Sequence, residues 1–244
     1  MSATLTPQDA PATERKHGNM PMNMVTSYNF YQVDPGFRHL PQPERQAALA
    51  EFNQVFQKHQ DKLWIRSYST FGLREDADFF FWNVSKEVEL IQNFVTDLYR
   101  TTLGRYLKQT HTYLAVSKES EYTRDHEHPP ANLRTEEAKY LFIYPFVKTR
   151  DWYILPFEDR MKMMKQHIDI GHEFPDVTIN TSYSFGIDDQ DFVVSFDGNS
   201  MEEFVRLVMK LRETEVSRYT ERDNPMFVGL NKSLPDVLTS LGLD

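Results

Sequence analysis

Tyr68-Ser69-Thr70-Phe71-Gly72-Leu73-Arg74-Glu75-Asp76-Ala77-Asp78-Phe79-Phe80-Phe81 is echoed later in the chain by Tyr183-Ser184-Phe185-Gly186-Ile187-Asp188-Asp189-Gln190-Asp191-Phe192-Val193-Val194. Each copy joins aromatic, strand-like runs through a Phe-Gly turn and lies between two helix-patterned stretches. A segment that returns together with its surroundings marks an internal duplication. The chain therefore reads as two related halves of α+β type.

Around the first copy, residues 25–33 are aromatic and apolar enough for a strand, closed by Asp34-Pro35-Gly36. Residues 43–59 follow as a helix, with Ala47, Leu49, Ala50, Phe52, Val55 and Phe56 as most of its apolar surface. Strands at 63–71 and 78–83 flank the Gly72 turn, and a helix over 85–103 carries Val88, Ile91, Val95 and Leu98 in one stripe, with Gly104 as its stop. Around the second copy the same order returns: a strand at 139–147, a helix at 156–170, strands at 177–185 and 191–196, and a helix at 200–215 opened by a Ser200/Glu203 capping box. A further strand at 110–116 and a charged loop connect the halves. This gives a tail at 1–22, an N-terminal half at 23–117, a connecting loop at 118–138 and a C-terminal half at 139–244. The order predicts two fused ferredoxin-like halves that form a dimeric α/β-barrel-type protomer. Sheets of this kind leave faces and edges to cover, so oligomerisation is expected.

With 244 residues, 40% of them hydrophobic and 14% aromatic, the chain can bury a sizeable core. It has no cysteine, which excludes disulfides and thiolate metal sites. No apolar run approaches the roughly 20 residues that span a bilayer. Residues 1–22 lack an apolar signal-peptide core and read as a mobile tail. A net charge of −9 argues against general nucleic-acid binding, and a cytoplasmic location is the default reading.

Only the second half places a histidine, His167, on the apolar side of its first helix, three residues after Met164; the matching position of the first half lies near Phe52. Two readings stand there: a core histidine bonded to a carbonyl, or an axial ligand to a haem iron. Tyr144 and Lys148 are four residues apart on one strand and so share a side, with Pro145 between them. They are either a core tyrosine and a solvated lysine, or a phenol beside an ammonium that moves protons or electrons and holds a carboxylate. His126-Glu127-His128 has H-x-H spacing but no third ligand, and reads as solvated loop side chains. Trp152 and Tyr153 read as packing residues, and Gly72 and Gly186 as turn glycines.

Tyr144-Pro145-Phe146-Val147-Lys148-Thr149-Arg150-Asp151-Trp152-Tyr153-Ile154-Leu155-Pro156, followed by Met163-Met164-Lys165-Gln166-His167, resembles the chlorite dismutase-like family, and within it the coproheme decarboxylase branch. Ser184-Phe185-Gly186-Ile187-Asp188-Asp189, the stretch from Leu211 to Thr220 and Pro225-Met226-Phe227-Val228-Gly229 extend the resemblance. It implies a homopentamer with one haem-type ring in each C-terminal half. By the same resemblance His167 is the proximal iron ligand, Tyr144 the redox-active tyrosine, Lys148 the basic residue beside the propionates, and Arg218 and Arg134 propionate-binding arginines. The implied reaction uses hydrogen peroxide to decarboxylate two propionates of iron-coproporphyrin III oxidatively, giving haem b. Chlorite dismutases carry a distal arginine where Ile179 falls here, and no Lys or Arg occurs from His172 to Val205, which disfavours chlorite chemistry. A chlorite-degrading haem enzyme and a non-catalytic haem-binding protein of the same fold are the alternatives.

Overall fold

The computed structural model describes residues 19–20, 23–122, 133–135 and 137–243. Along the chain these form β1 (Asn19–Met20), β2 (Val25–Val33), α1 (Gln42–Gln60), β3 (Trp64–Ser69), β4 (Phe79–Ser85), α2 (Val88–Arg100) and β5 (Leu107–Val116). Then come β6 (Leu133–Arg134), β7 (Tyr140–Lys148), α3 (Arg150–Ile154), α4 (Phe157–His172), β8 (Val177–Tyr183) and β9 (Phe192–Gly198). The chain finishes with α5 (Met201–Arg212), β10 (Thr220–Arg222), β11 (Phe227–Asn231) and α6 (Leu234–Ser240). They group into two compact units, one holding Met24–Thr112 with residues 231–243, the other holding Tyr113–Leu230 with β1.

In unit 1 the strands stand in the order β3–β4–β2–β5. β3 and β2 flank β4 antiparallel, in a register that sets Tyr68 opposite Phe80 and Tyr28 opposite Trp82. Both pairs stack, at 4.8 and 5.5 Å between ring centroids, which is the cross-strand contact that fixes register. β2 and β3 are joined through α1, with β4 inserted between them, so the unit is a split βαβ. α1 buries Ala48, Phe52 and Phe56, and α2 buries Ile91, Phe94 and Leu98, against Tyr31, Val33, Phe79 and Phe81 of the sheet. The C-terminal segment adds Leu234, Val237, Leu238, Leu241 and Leu243 to the same core.

Unit 2 repeats the order as β8–β9–β7, with β10 and β11 on the far side of β7. β7 runs from Tyr140 to Lys148 with Pro145 inside it. β11 pairs with β7 only as far as Ile143, and β10 takes over at Val147, so Pro145 sits where its missing N–H breaks no ladder. α5 lays Leu207 and Phe204 on Phe142 and Phe196. Ser200 caps it by accepting from the Glu203 amide, as the capping box predicts.

Taken separately, each unit is an open antiparallel sheet with helices, as expected of a ferredoxin-like half. Among the described residues neither unit closes its strands into a ring, and each has fewer strands than the about eight that fill a small barrel. Two helix ends differ from the expectation. α2 stops at Arg100, where Thr101 adopts an extended conformation, and Gly104 lies beyond it in a 3-10 turn at 103–106. The helix predicted over 200–215 gives way after Arg212 to a second such turn at 215–219. No helix among the described residues is long and apolar enough to cross a membrane. His126-Glu127-His128 lies outside the described residues.

Candidate functional site

The duplication can be followed hydrogen bond by hydrogen bond. In unit 1 the Asp78 amide donates to the Tyr31 carbonyl, and its Oδ2 accepts from the Val33 amide at 2.8 Å. In unit 2 the Asp191 amide donates to the Phe146 carbonyl, and its Oδ2 accepts from the Lys148 amide at 2.8 Å. Val33 and Lys148 are therefore equivalent, and Asn29 is the counterpart of Tyr144. Pro41 and Pro156 stand at the starts of α1 and α4, which makes Phe52 the counterpart of His167. Asn, Val and Phe in one copy become Tyr, Lys and His in the other.

The helices that carry them differ accordingly. α1 buries three side chains, whereas no residue of α4 is fully buried. Met164, His167, Ile168 and Gly171 on one face of α4 are half-covered. So are Phe146, Val194, Met226 and Val228, which pack around buried Tyr144 and Phe142. Ile179 of β8 is a large apolar side chain left exposed. His167 thus lies on the half-covered face of α4, and Tyr144 among partly covered apolar side chains of the sheet.

His167 Nδ1 is buried without a hydrogen-bond partner. Burial, and then the charge of Lys148, push its pKa down to about 4, so the ring is neutral at physiological pH. A neutral imidazole with an unanswered buried nitrogen suits a metal ligand better than a core histidine, which would be bonded to a carbonyl. Tyr144 stacks on Phe196 at 5.7 Å. Burial raises its pKa, Asp223 adds to the rise and Arg212 opposes it, so the phenol keeps its proton.

Lys148 is 8% exposed, and burial lowers its pKa to about 8. Its Nζ donates to the Val216 carbonyl at 3.1 Å and lies 4.6 Å from the Trp152 ring centroid. No carboxylate among the described residues pairs with it. Trp152, read from sequence as packing, is 2% exposed and forms the platform under this cation, a role that spacing alone could not show.

Arg218 and Arg134 are both exposed. Val216 turns inward to meet Lys148, which leaves Arg218 on the outer side of its 3-10 turn, exposed and paired with Glu215 at 3.2 Å. Leu133 is buried and Arg134, next along β6, is exposed; the Arg134 backbone is tied to the Asn180 side chain. No group of three or more His, Asp or Glu among the described residues could hold a metal ion. A single neutral imidazole remains able to serve as the axial ligand of a metal carried in a flat ring.

These features define a duplicated α+β protein in which the second copy alone carries Tyr144, Lys148 and His167 at equivalent positions. The chain belongs to the chlorite dismutase family, whose model matches residues 45–232. It is 34% identical to coproheme decarboxylase from Mycolicibacterium smegmatis over 71% of this chain and 75% of that protein. It is 26% identical to chlorite dismutase from Ideonella dechloratans over 90% and 80% of the two chains. Two solved structures share the fold. A mutant chlorite dismutase from Candidatus Nitrospira defluvii has a TM-score of 0.84 at 24% identity, over 91% of this chain and 96% of that one. A haem-binding protein from Thermus thermophilus has a TM-score of 0.80 at 22% identity, over 93% and 99%. The family includes haem-dependent enzymes.

Proposed function

We propose that this protein is a coproheme decarboxylase, converting two propionates of iron-coproporphyrin III to vinyl groups and so forming haem b. The observation that supports the reading is that Tyr144, Lys148 and His167, which we place about one cleft between α4 and its sheet, stand at the three positions where unit 1 has Asn29, Val33 and Phe52, with the Lys148 charge acting on His167. Each propionate consumes one peroxide and one proton and yields a vinyl group, carbon dioxide and two waters. When bound, the iron of the substrate ring supplies the oxidising equivalents that peroxide delivers.

His167 holds the ring from one wall, and its neutrality keeps the nitrogen lone pair free. Tyr144 is protonated and dry, so it gives up an electron only together with its proton, and the phenoxyl oxygen takes a hydrogen from the propionate carbon next to the ring. Lys148, unpaired and half-titrated near pH 8, holds the carboxylate and supplies the proton. Chlorite degradation is disfavoured by Ile179, an apolar side chain where oxyanion stabilisation would need a cation. The same reading takes a homopentamer, supported by apolar pairs exposed at both Phe-Gly turns.

The test is to mix apoprotein with ferric coproporphyrin III, titrate peroxide and follow the porphyrins by mass spectrometry. Stepwise loss of two carboxyl groups is expected. Binding without mass loss would reduce the protein to a haem carrier.

A further inference from the structure

Arg45 and Arg160 are equivalent residues, each four places after the proline that starts its helix. In unit 1 the Arg45 Nη1 donates to the carbonyls of Arg38 and Leu40, at 3.3 and 3.1 Å, stitching the preceding turn to α1. That is the structural task of an arginine in this place. Arg160 has left it. Its Nη1 donates instead to the Tyr122 hydroxyl at 3.2 Å, and its guanidinium lies over the Phe157 ring at 5.4 Å. No Asp or Glu among the described residues pairs with it.

The position is also informative. Arg160 precedes His167 by two helical turns and so lies on the same face of α4. The Tyr122 ring stacks on Phe157 at 5.9 Å and lies 6.4 Å from Trp152, the platform of Lys148. Arg160 and Lys148 are thus linked through Tyr122 and Trp152, two cations with no acid among the described residues paired to either.

We propose that Arg160, aimed by Tyr122, binds a carboxylate of the ring through its guanidinium. This rests on the porphyrin reading above and deepens it, adding a residue that sets specificity for a ring with acidic side chains. An arginine edge meets a carboxylate through two parallel bonds, which a lysine cannot reproduce.

Metal-free coproporphyrin III and its tetramethyl ester, titrated by fluorescence, test the assignment. Arg160→Gln is expected to weaken binding of the free acid about tenfold or more, with a shallower salt dependence, and to leave the ester unaffected. Arg160→Lys is expected to recover part of the loss, and Tyr122→Phe to reproduce part of it. Arg45→Gln is expected to lower the melting temperature and leave acid binding alone, since that arginine has only the structural task. Equal acid affinity in Arg160→Gln and the parent would overturn the assignment, as would a loss shared equally by acid and ester. Should Arg160→Gln fail to fold, the acid-against-ester comparison in Arg160→Lys and Tyr122→Phe decides on the same terms. A parent that binds neither compound would overturn the porphyrin reading, and the role of Arg160 with it.

Discussion

Lys148 is buried without a carboxylate, so the folded chain is less stable with it than with an apolar residue. Its folded pKa of about 8 lies below the ordinary 10.5, so the unfolded chain binds more protons between those values and stability rises with pH there. Below pH 8 the full cost of burying the charge is present. Lys148→Met is therefore expected to raise the melting temperature of the apoprotein by a few degrees at pH 7, with the gain fading between about pH 8 and 10.5. Thermal scans across that range check it; a gain that grew with pH would refute the sign. The same variant is expected to bind coproporphyrin more weakly, which is the stability cost of a site made visible. Much of this residue's role was legible, because four-residue spacing on a strand fixes a shared side with Tyr144. Its lack of an acid was not, because its neighbours Val216 and Trp152 are brought in by folding. Arg160 was wholly hidden: in sequence it matches Arg45, and only Tyr122, from a distant loop, separates the two.

α1 and α4 begin at equivalent prolines and differ most where Phe52 meets His167. Phe52 is fully buried in unit 1. His167→Phe restores the residue of the other copy and removes a buried nitrogen that lacks a partner. We expect a more stable apoprotein that no longer shows the spectral signature of an imidazole-ligated iron porphyrin. Calorimetry and the porphyrin absorption spectrum are the two readouts, and loss of stability would mean that the cleft cannot accept the ring. Gly104 supplies a second test. A Cβ there would collide with the Leu98 carbonyl, backbone that cannot yield, so Gly104→Ala is expected to destabilise unit 1 by about 1–3 kcal/mol or more in denaturant titration. The sequence placed this glycine correctly near the end of α2 for a different reason, a stop signal, whereas its use is close approach. The strands and helices of both copies were legible because their apolar periods are strong. β10, β11 and α6 were not, since pieces of three to seven residues beside prolines carry too little periodicity to announce themselves.

On the scale of the whole chain, the duplication has been used asymmetrically. Unit 1 fills its helix-side core with Phe52 and with leucines from the C-terminal segment, and carries no histidine at the position of His167. One porphyrin per chain is the expected stoichiometry. Both copies nonetheless keep the same feature at their turns: Phe71 and Leu73 are 47% and 43% exposed, and Phe185 and Ile187 are 48% and 49% exposed. A positive φ at Gly72 and Gly186 holds each turn in shape. Single exposed apolar residues are ordinary, but the same pair displayed twice by equivalent turns suits burial against other copies of the chain. Native mass spectrometry of the parent is expected to give a pentamer. Phe185→Glu with Ile187→Glu, or Phe71→Glu with Leu73→Glu, is expected to shift mass to smaller species while the circular dichroism of the chain is kept. Retention of the parental mass by both double variants would return the turns to solvent. A monomeric parent would remove the pentamer from the proposal and leave the cleft, which lies within one unit, untouched.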